Sequence, residues 1–146
     1  MPDTQSYSHH TRWDPIFHFF VLPMFFLAAV TAIVMHFFVH RGDPLHGVLV
    51  TLFAIAALIA LFKIRLYALK VQDRVIRLEE RLRLATLLPE SLRSRIPELT
   101  ERQLIALRFA SDGELASLAQ RILNEKLSPD EIKKSVKNWR ADNWRV

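Results

Sequence analysis

The amino-acid sequence predicts an all-α membrane protein: a transmembrane helical hairpin, a second span that continues into a long amphipathic cytoplasmic helix, and a small three-helix C-terminal unit. Three observations predict it. Residues Ile16 to Val39 and Leu45 to Phe62 lack Asp, Glu, Lys and Arg, and only His40, Arg41, Gly42, Asp43 and Pro44 join them. Six basic residues, Lys63, Arg65, Lys70, Arg74, Arg77 and Arg81, follow the second run closely. Three Ser/Thr-x-x-Glu/Gln signatures then punctuate the last third of the chain. The expected organisation is a polar arm over 1–14, a two-span hairpin over 15–62, an amphipathic helix over 63–88 and a small helical domain over 89–146.

Each run matches the roughly 20 helical residues that cross a hydrocarbon core, where backbone groups must be satisfied without water. Two spans joined by a tight turn meet that demand. Asp14 followed by Pro15 reads as an N-cap with proline at the first helical position, where a missing N–H costs nothing. Pro23, further in, displaces the hydrogen bond to the Phe19 carbonyl and predicts a mild kink. A cleaved signal peptide is not expected, because a long polar stretch with Arg12 as its basic residue precedes a run longer than a typical h-region. Folding the chain about its turn puts Ala28 at the depth of Ala57 and Ala32 near Ala54, a small-on-small contact of the kind by which helices associate in lipid.

Orientation follows from charge. Basic loops stay on the cytoplasmic side, and the cluster after the second span outweighs Arg41 in the turn and Arg12 in the arm. Both termini are therefore expected in the cytoplasm, with the turn outside. The formal net charge of +5 is concentrated at that membrane surface, with seven basic against three acidic groups over residues 63–88 and eleven against nine over 89–146.

No glycine or proline separates Phe62 from Leu88, so the second span is expected to leave the membrane as one helix that ends at Pro89. Leu61, Ile64, Ala68, Val71, Val75, Leu78, Leu82 and Ala85 recur at alternating intervals of three and four, the spacing of a coiled-coil seam. Leu66, Leu69, Ile76 and Leu84 widen the stripe, which points to packing against the tail or in a bundle. Val71, Val75, Leu78 and Leu82 are the expected interaction face. Asp73 with Arg77 and Glu79 with Arg83 lie at i,i+4 on the charged side.

In the tail, Thr100 with Gln103, Ser111 with Glu114 and Ser128 with Glu131 form capping boxes, the last reinforced by Pro129. They predict helices over about 101–110, 113–126 and 129–144, preceded by a helical turn over 90–95.

Composition narrows the chemistry. The chain has no cysteine, which excludes a disulfide framework, a thiolate zinc site and a cysteine nucleophile. Its three glycines, at 42, 47 and 113, are too scattered for a phosphate cradle, and no paired carboxylates or activated nucleophile are recognisable. No enzymatic activity is expected. The six histidines, His9, His10, His18, His36, His40 and His46, all fall in the first third. His36, His40 and His46 group near the outer end of the hairpin and form the alternative of a haem or metal ligand set, but close alanine packing leaves little room for a porphyrin and no cofactor is predicted. Trp13, Trp139 and Trp144 suit the water–lipid boundary.

The segments "LTERQLIALR", "LASLAQRI" and "SPDEIKKSVKNW" resemble the helix-turn-helix of response-regulator and sigma-factor DNA-binding domains. That resemblance implies a recognition helix over 129–144 with Lys133, Lys134, Lys137 and Arg140 available to phosphates. Acidic neighbours and a weakly basic tail disfavour a nucleic-acid partner.

"HTRWDPIFHFF", "QDRVIRLEERLRL", "QLIALRFASD" and "KNWRADNWRV" resemble an uncharacterised family of small two-span bacterial membrane proteins, a domain of unknown function. The resemblance spans nearly the whole chain. It implies a bacterial inner-membrane location and supplies no activity. The expected function is a non-catalytic scaffold or accessory subunit of a larger membrane complex, with the lipid bilayer and either a membrane-protein partner or further copies of itself as partners. A membrane-tethered DNA-binding regulator and a histidine-ligated subunit are the alternatives.

Overall fold

A computed structural model describes residues 6–7, 14–39 and 44–142, and those residues are almost wholly helical. They divide into two compact units at Leu69 and Lys70, with Tyr7 belonging to the second.

The first unit opens on Asp14. Its carboxylate Oδ1 accepts the Phe17 N–H at 3.1 Å and its carbonyl accepts the His18 N–H at 3.0 Å, so Asp14 caps a helix that begins with Pro15. A π-helical turn at Phe17–Val21 precedes α1, Leu22–Val34, and a second π turn, Met35–Val39, follows it. Pro23 lies just inside α1, and the Leu22 N–H reaches back to the Phe17 carbonyl, one residue wider than an α-helical bond. The disturbance expected from Pro23 is therefore absorbed by a π turn on its N-terminal side.

Helix α2, Pro44–Leu87, is unbroken over 44 residues. Together with the helical stretch Phe17–Phe38, it is long and apolar enough to cross a membrane. Within the first unit the two strands of the hairpin meet at both ends. At one end Arg65 Nη1 lies 3.8 Å from Asp14 Oδ2, and its guanidinium sits 5.4 Å from the centre of the Phe17 ring. At the other, the His36 imidazole rests on Gly47, where a Cβ atom would overlap the ring. Gly47 is buried, and its missing side chain sets how closely the spans approach there.

The second unit starts on α2 itself. Ile76, Leu84 and Leu88 are buried; Leu84 and Leu88 pack with α3 (Glu90–Arg93), a 3₁₀ turn (Ile96–Glu98), α4 (Glu101–Leu107), α5 (Asp112–Glu125) and α6 (Pro129–Ser135), and Ile76 lines a cleft beside Arg108 and Arg140. Leu84, Leu104, Leu107, Leu115, Ile122 and Ile132 are sealed from solvent and make one core. The capping boxes at Thr100 and Ser128 form with both reciprocal bonds, and at Ser111 the Glu114 carboxylate accepts both the backbone N–H and the hydroxyl of the serine. Helix α5 stops without a glycine: Lys126 takes the left-handed conformation at φ 53°, and its N–H reaches the Ile122 carbonyl.

The expected helix over 129–144 is much shorter. It ends at Ser135, Val136 is extended, and Trp139 pairs with Ala110 in an isolated antiparallel bridge. The cause is Glu114. Besides closing its capping box, its carboxylate accepts the backbone N–H groups of Lys137 at 3.0 Å and Asn138 at 3.1 Å. The Ser111 N–H donates to the Asn138 carbonyl at 3.1 Å, and the Arg140 N–H to that of Phe109 at 2.8 Å. These partners replace the i→i−4 bonds that a longer helix would have made.

Candidate functional site: two faces of the long helix

Between Lys70 and Leu87, α2 carries two apolar faces with opposite fates. Ile76, Glu80, Leu84 and Leu88 succeed one another every four residues and are buried against the C-terminal unit. Val71, Val75, Leu78 and Leu82 lie on the far side and are 63%, 47%, 59% and 62% exposed. An α-helix turns about 100° per residue, so the two sets are centred close to 180° apart. The residues that widen the sequence stripe, Ile76 and Leu84, are the ones that pack on the tail. The regular seam faces outward and, among the described residues, is left uncovered.

Charge anchors the buried face. Arg83 Nη1 lies 3.1 Å from Glu80 Oε2, Nη2 donates to the Ala110 carbonyl at 2.6 Å, and Nε donates to Asp112 Oδ1 at 2.7 Å. One guanidinium fork thus ties α2 to the α4–α5 connection and to the first turn of α5. Arg140 Nη1 approaches Glu80 at 3.6 Å. Burial pushes the Glu80 carboxyl above its ordinary range, and the neighbouring arginines Arg83 and Arg140 oppose that rise. Arg77 pairs with Glu101, and its Nε donates to the Asp73 carbonyl rather than to the carboxylate. The i,i+4 pairing expected for Arg83 gives way to Glu80 at i,i+3, which is buried, and to the exposed Asp112 at the start of α5.

Glu80, Arg83, Asp112 and Arg140 line a cleft of about 630 Å³ that also includes Arg108 and Asp142, paired at 3.4 Å. Arg108 lies 4.4 Å over the Phe109 ring. Each of the cleft's arginines already faces a carboxylate, so the arrangement acts as a clamp that closes on itself rather than as a receptor for an anion.

Glu114 is the other electrostatic anchor. Burial raises its carboxyl, but the N–H groups of Lys137, Ser111 and Asn138 outweigh that and hold it below the ordinary glutamate value of 4.5. A lowered carboxyl contributes stability above 4.5 that is lost as pH falls through the folded-state value. Glu114→Gln is expected to destabilise the second unit by about 2 kcal/mol at neutral pH. The difference from wild type should shrink on acidification. Urea unfolding of both chains at pH 7 and pH 4 checks this, and a difference independent of pH would contradict it.

In the first unit, His36 and His46 line one groove of about 600 Å³ together with Met24, Leu27, Ala28, Thr31 and Ala32. His40 lies outside the described residues. Ala28 is exposed along this groove, Ala32, Ala54 and Ala57 are half-buried, and the most buried alanine of the first span is Ala29. Trp139 stacks on Phe109 with ring centres 4.8 Å apart and belongs to the small domain, whereas Trp13 and Trp144 lie outside the described residues. The helix in the recognition position of a helix-turn-helix, α6, has seven residues; Lys137 and Arg140 fall beyond it, and Lys134 is paired with Asp130 at 2.8 Å.

The Arg83 hub and the Glu114 anchor were not recognisable as such beforehand. Glu80 at i−3 from Arg83 and the capping box of Glu114 with Ser111 are local signals, and the remaining partners come from distant parts of the chain.

An all-α chain with two long apolar helices and a small capped helical domain is thus defined before any comparison. Residues 1–146 match the model of the Family of unknown function (DUF6526), and the chain belongs to that family. No curated protein and no solved structure is detectably similar to it.

Proposed function

We propose that this protein is a non-catalytic, two-span membrane protein of the bacterial inner membrane, acting as a scaffold or accessory subunit through its cytoplasmic helices. The observation that carries the reading is the uncovered row Val71, Val75, Leu78 and Leu82 on a helix whose other face is already occupied. A contiguous apolar row on an otherwise charged helix marks an interaction surface. Hydrogen bonding of Tyr7 to Asp130 Oδ1 at 2.7 Å, between the N-terminal arm and the tail, supports termini on the same side. The basic cluster after the second span supports the cytoplasm as that side. The brevity of α6 and the pairing of Lys134 favour protein assembly over DNA binding.

Topology is tested by single-cysteine labelling in the cysteine-free chain. A cysteine replacing Gly42 is expected to react with a membrane-impermeant maleimide in intact cells, and one replacing Ser94 only after lysis. The reverse pattern would overturn the orientation. Assembly is tested by sizing the protein extracted in mild detergent, where a particle larger than one chain is expected.

A further inference from the structure

The exposed seam of α2 has more pattern than a general sticky surface needs. Heptad positions a fall on Ala68, Val75 and Leu82, and positions d on Val71, Leu78 and Ala85. In the central heptad, Val75 at a is followed by Leu78 at d, the combination that favours two parallel strands. Arg74 and Arg81 then occupy g, while Gln72 and Glu79 occupy e, directly flanking the seam. Arg74 and Glu79 are both exposed, and neither forms an ion pair within the chain among the described residues.

In a parallel pair each g residue faces the e position of the partner's next heptad, which sets Arg74 of one helix against Glu79 of the other, twice by symmetry. In an antiparallel pair g faces g, and the arginines at 74 and 81 meet like charges. The charge pattern therefore selects the parallel arrangement. Membrane insertion selects it too, because two copies inserted the same way send α2 out of the bilayer in the same direction. The C-terminal unit does not obstruct the contact, since it packs on the line through Ile76, Leu84 and Leu88 on the opposite side.

We infer that a second copy of this chain covers the face, joining residues 71–85 of the two α2 helices in a short parallel coiled coil. The inference rests on the assembly reading above and names its partner. Two heptads are marginal for helices free in solution, but confinement to one membrane raises their effective concentration and makes a short seam sufficient.

Cysteine cross-linking of the full chain in native membranes tests this, because the wild type has no cysteine to interfere. Single cysteines replacing Val75, Leu78 and Leu82 are expected to form disulfide-linked dimers under mild oxidation, with about tenfold lower yield at Lys70 and Leu87, which lie off the seam. Disulfide formation requires Cβ atoms about 4 Å apart, which a and d positions of a parallel pair approach and the others do not. In the Leu78→Cys background, Arg74→Glu should lower the yield severalfold, and adding Glu79→Arg should restore it. A mixture of Val71→Cys and Leu82→Cys chains that cross-links to each other better than either does to itself would show antiparallel pairing and overturn the proposal. Equal yields on and off the seam would overturn it as well. If no self-linkage occurs but Leu78→Glu releases a different co-purifying protein, the second copy is wrong and the assembly reading stands. If neither occurs and the extracted chain is a monomer, both fall.

Discussion

Leu84→Ala is expected to destabilise the second unit by about 3 kcal/mol, while Leu82→Ala, two residues away on the same helix, should change folding stability by less than about 0.5 kcal/mol. Leu84 is sealed from solvent and Leu82 is 62% exposed, so identical chemistry meets opposite environments. Removing Leu84 takes its methyl groups out of a core shared with Leu88, Leu104 and Leu107 and leaves a cavity that the neighbouring helices fill only in part. Removing Leu82 exposes nothing that was hidden within the chain. Guanidinium unfolding in mild detergent, at protein concentrations low enough to keep copies apart, measures both. Equal losses would contradict the assignment of the two faces.

Arg83→Ala carries the second large effect, also about 3 kcal/mol. Its fork neutralises Glu80, satisfies the Ala110 carbonyl and holds Asp112 at the start of α5. Without it, a buried carboxylate keeps only Arg140, 3.6 Å away, and a buried carbonyl loses a donor. Arg83→Lys should fall between the two, since an ammonium supplies the charge without the planar fork. Because burial raises the Glu80 carboxyl, the stability linked to its proton is present below the ordinary value of 4.5 and is lost as pH rises through the folded value. The Arg83→Ala defect should therefore be milder at pH 4 than at pH 7. Adding Glu80→Gln should recover part of the loss at pH 7, and no recovery would show that the charge of Glu80 is not what Arg83 balances.

Much of this architecture was legible in the residues themselves. Two apolar runs, the Asp14–Pro15 cap and the three capping boxes are local signals, and local hydrogen bonding realises each of them. The end of α6 was not legible, because nothing between Ser135 and Arg140 forbids a helix. What stops it is Glu114, more than twenty residues earlier, whose carboxylate offers the segment better partners than another turn would. The π turn beside Pro23 was half legible, since the disturbance is written in the sequence and the way it is absorbed is not.

The long helix is the most instructive case. Its period announced an apolar stripe, and the extra residues Ile76 and Leu84 announced that the stripe was too wide for one seam. Only the fold separates these into a side that packs on the tail and a side that does not. Sequence periodicity records which residues avoid water, not which neighbour removes them from it. The same limit applies at the hairpin, where the alanines are visible as small residues but the tightest approach, His36 on Gly47, depends on how the two spans are phased.

The exposed row of α2 is the proposed assembly surface in the membrane. Native mass measurement of the full chain released from membranes in mild detergent, wild type beside Leu78→Glu, tests it most directly. Wild type should appear as a particle of at least two chains, and Leu78→Glu as a single chain whose unfolding midpoint, measured at dilutions where both are monomeric, is unchanged. A monomeric wild type, or a variant that keeps the larger particle, would contradict it.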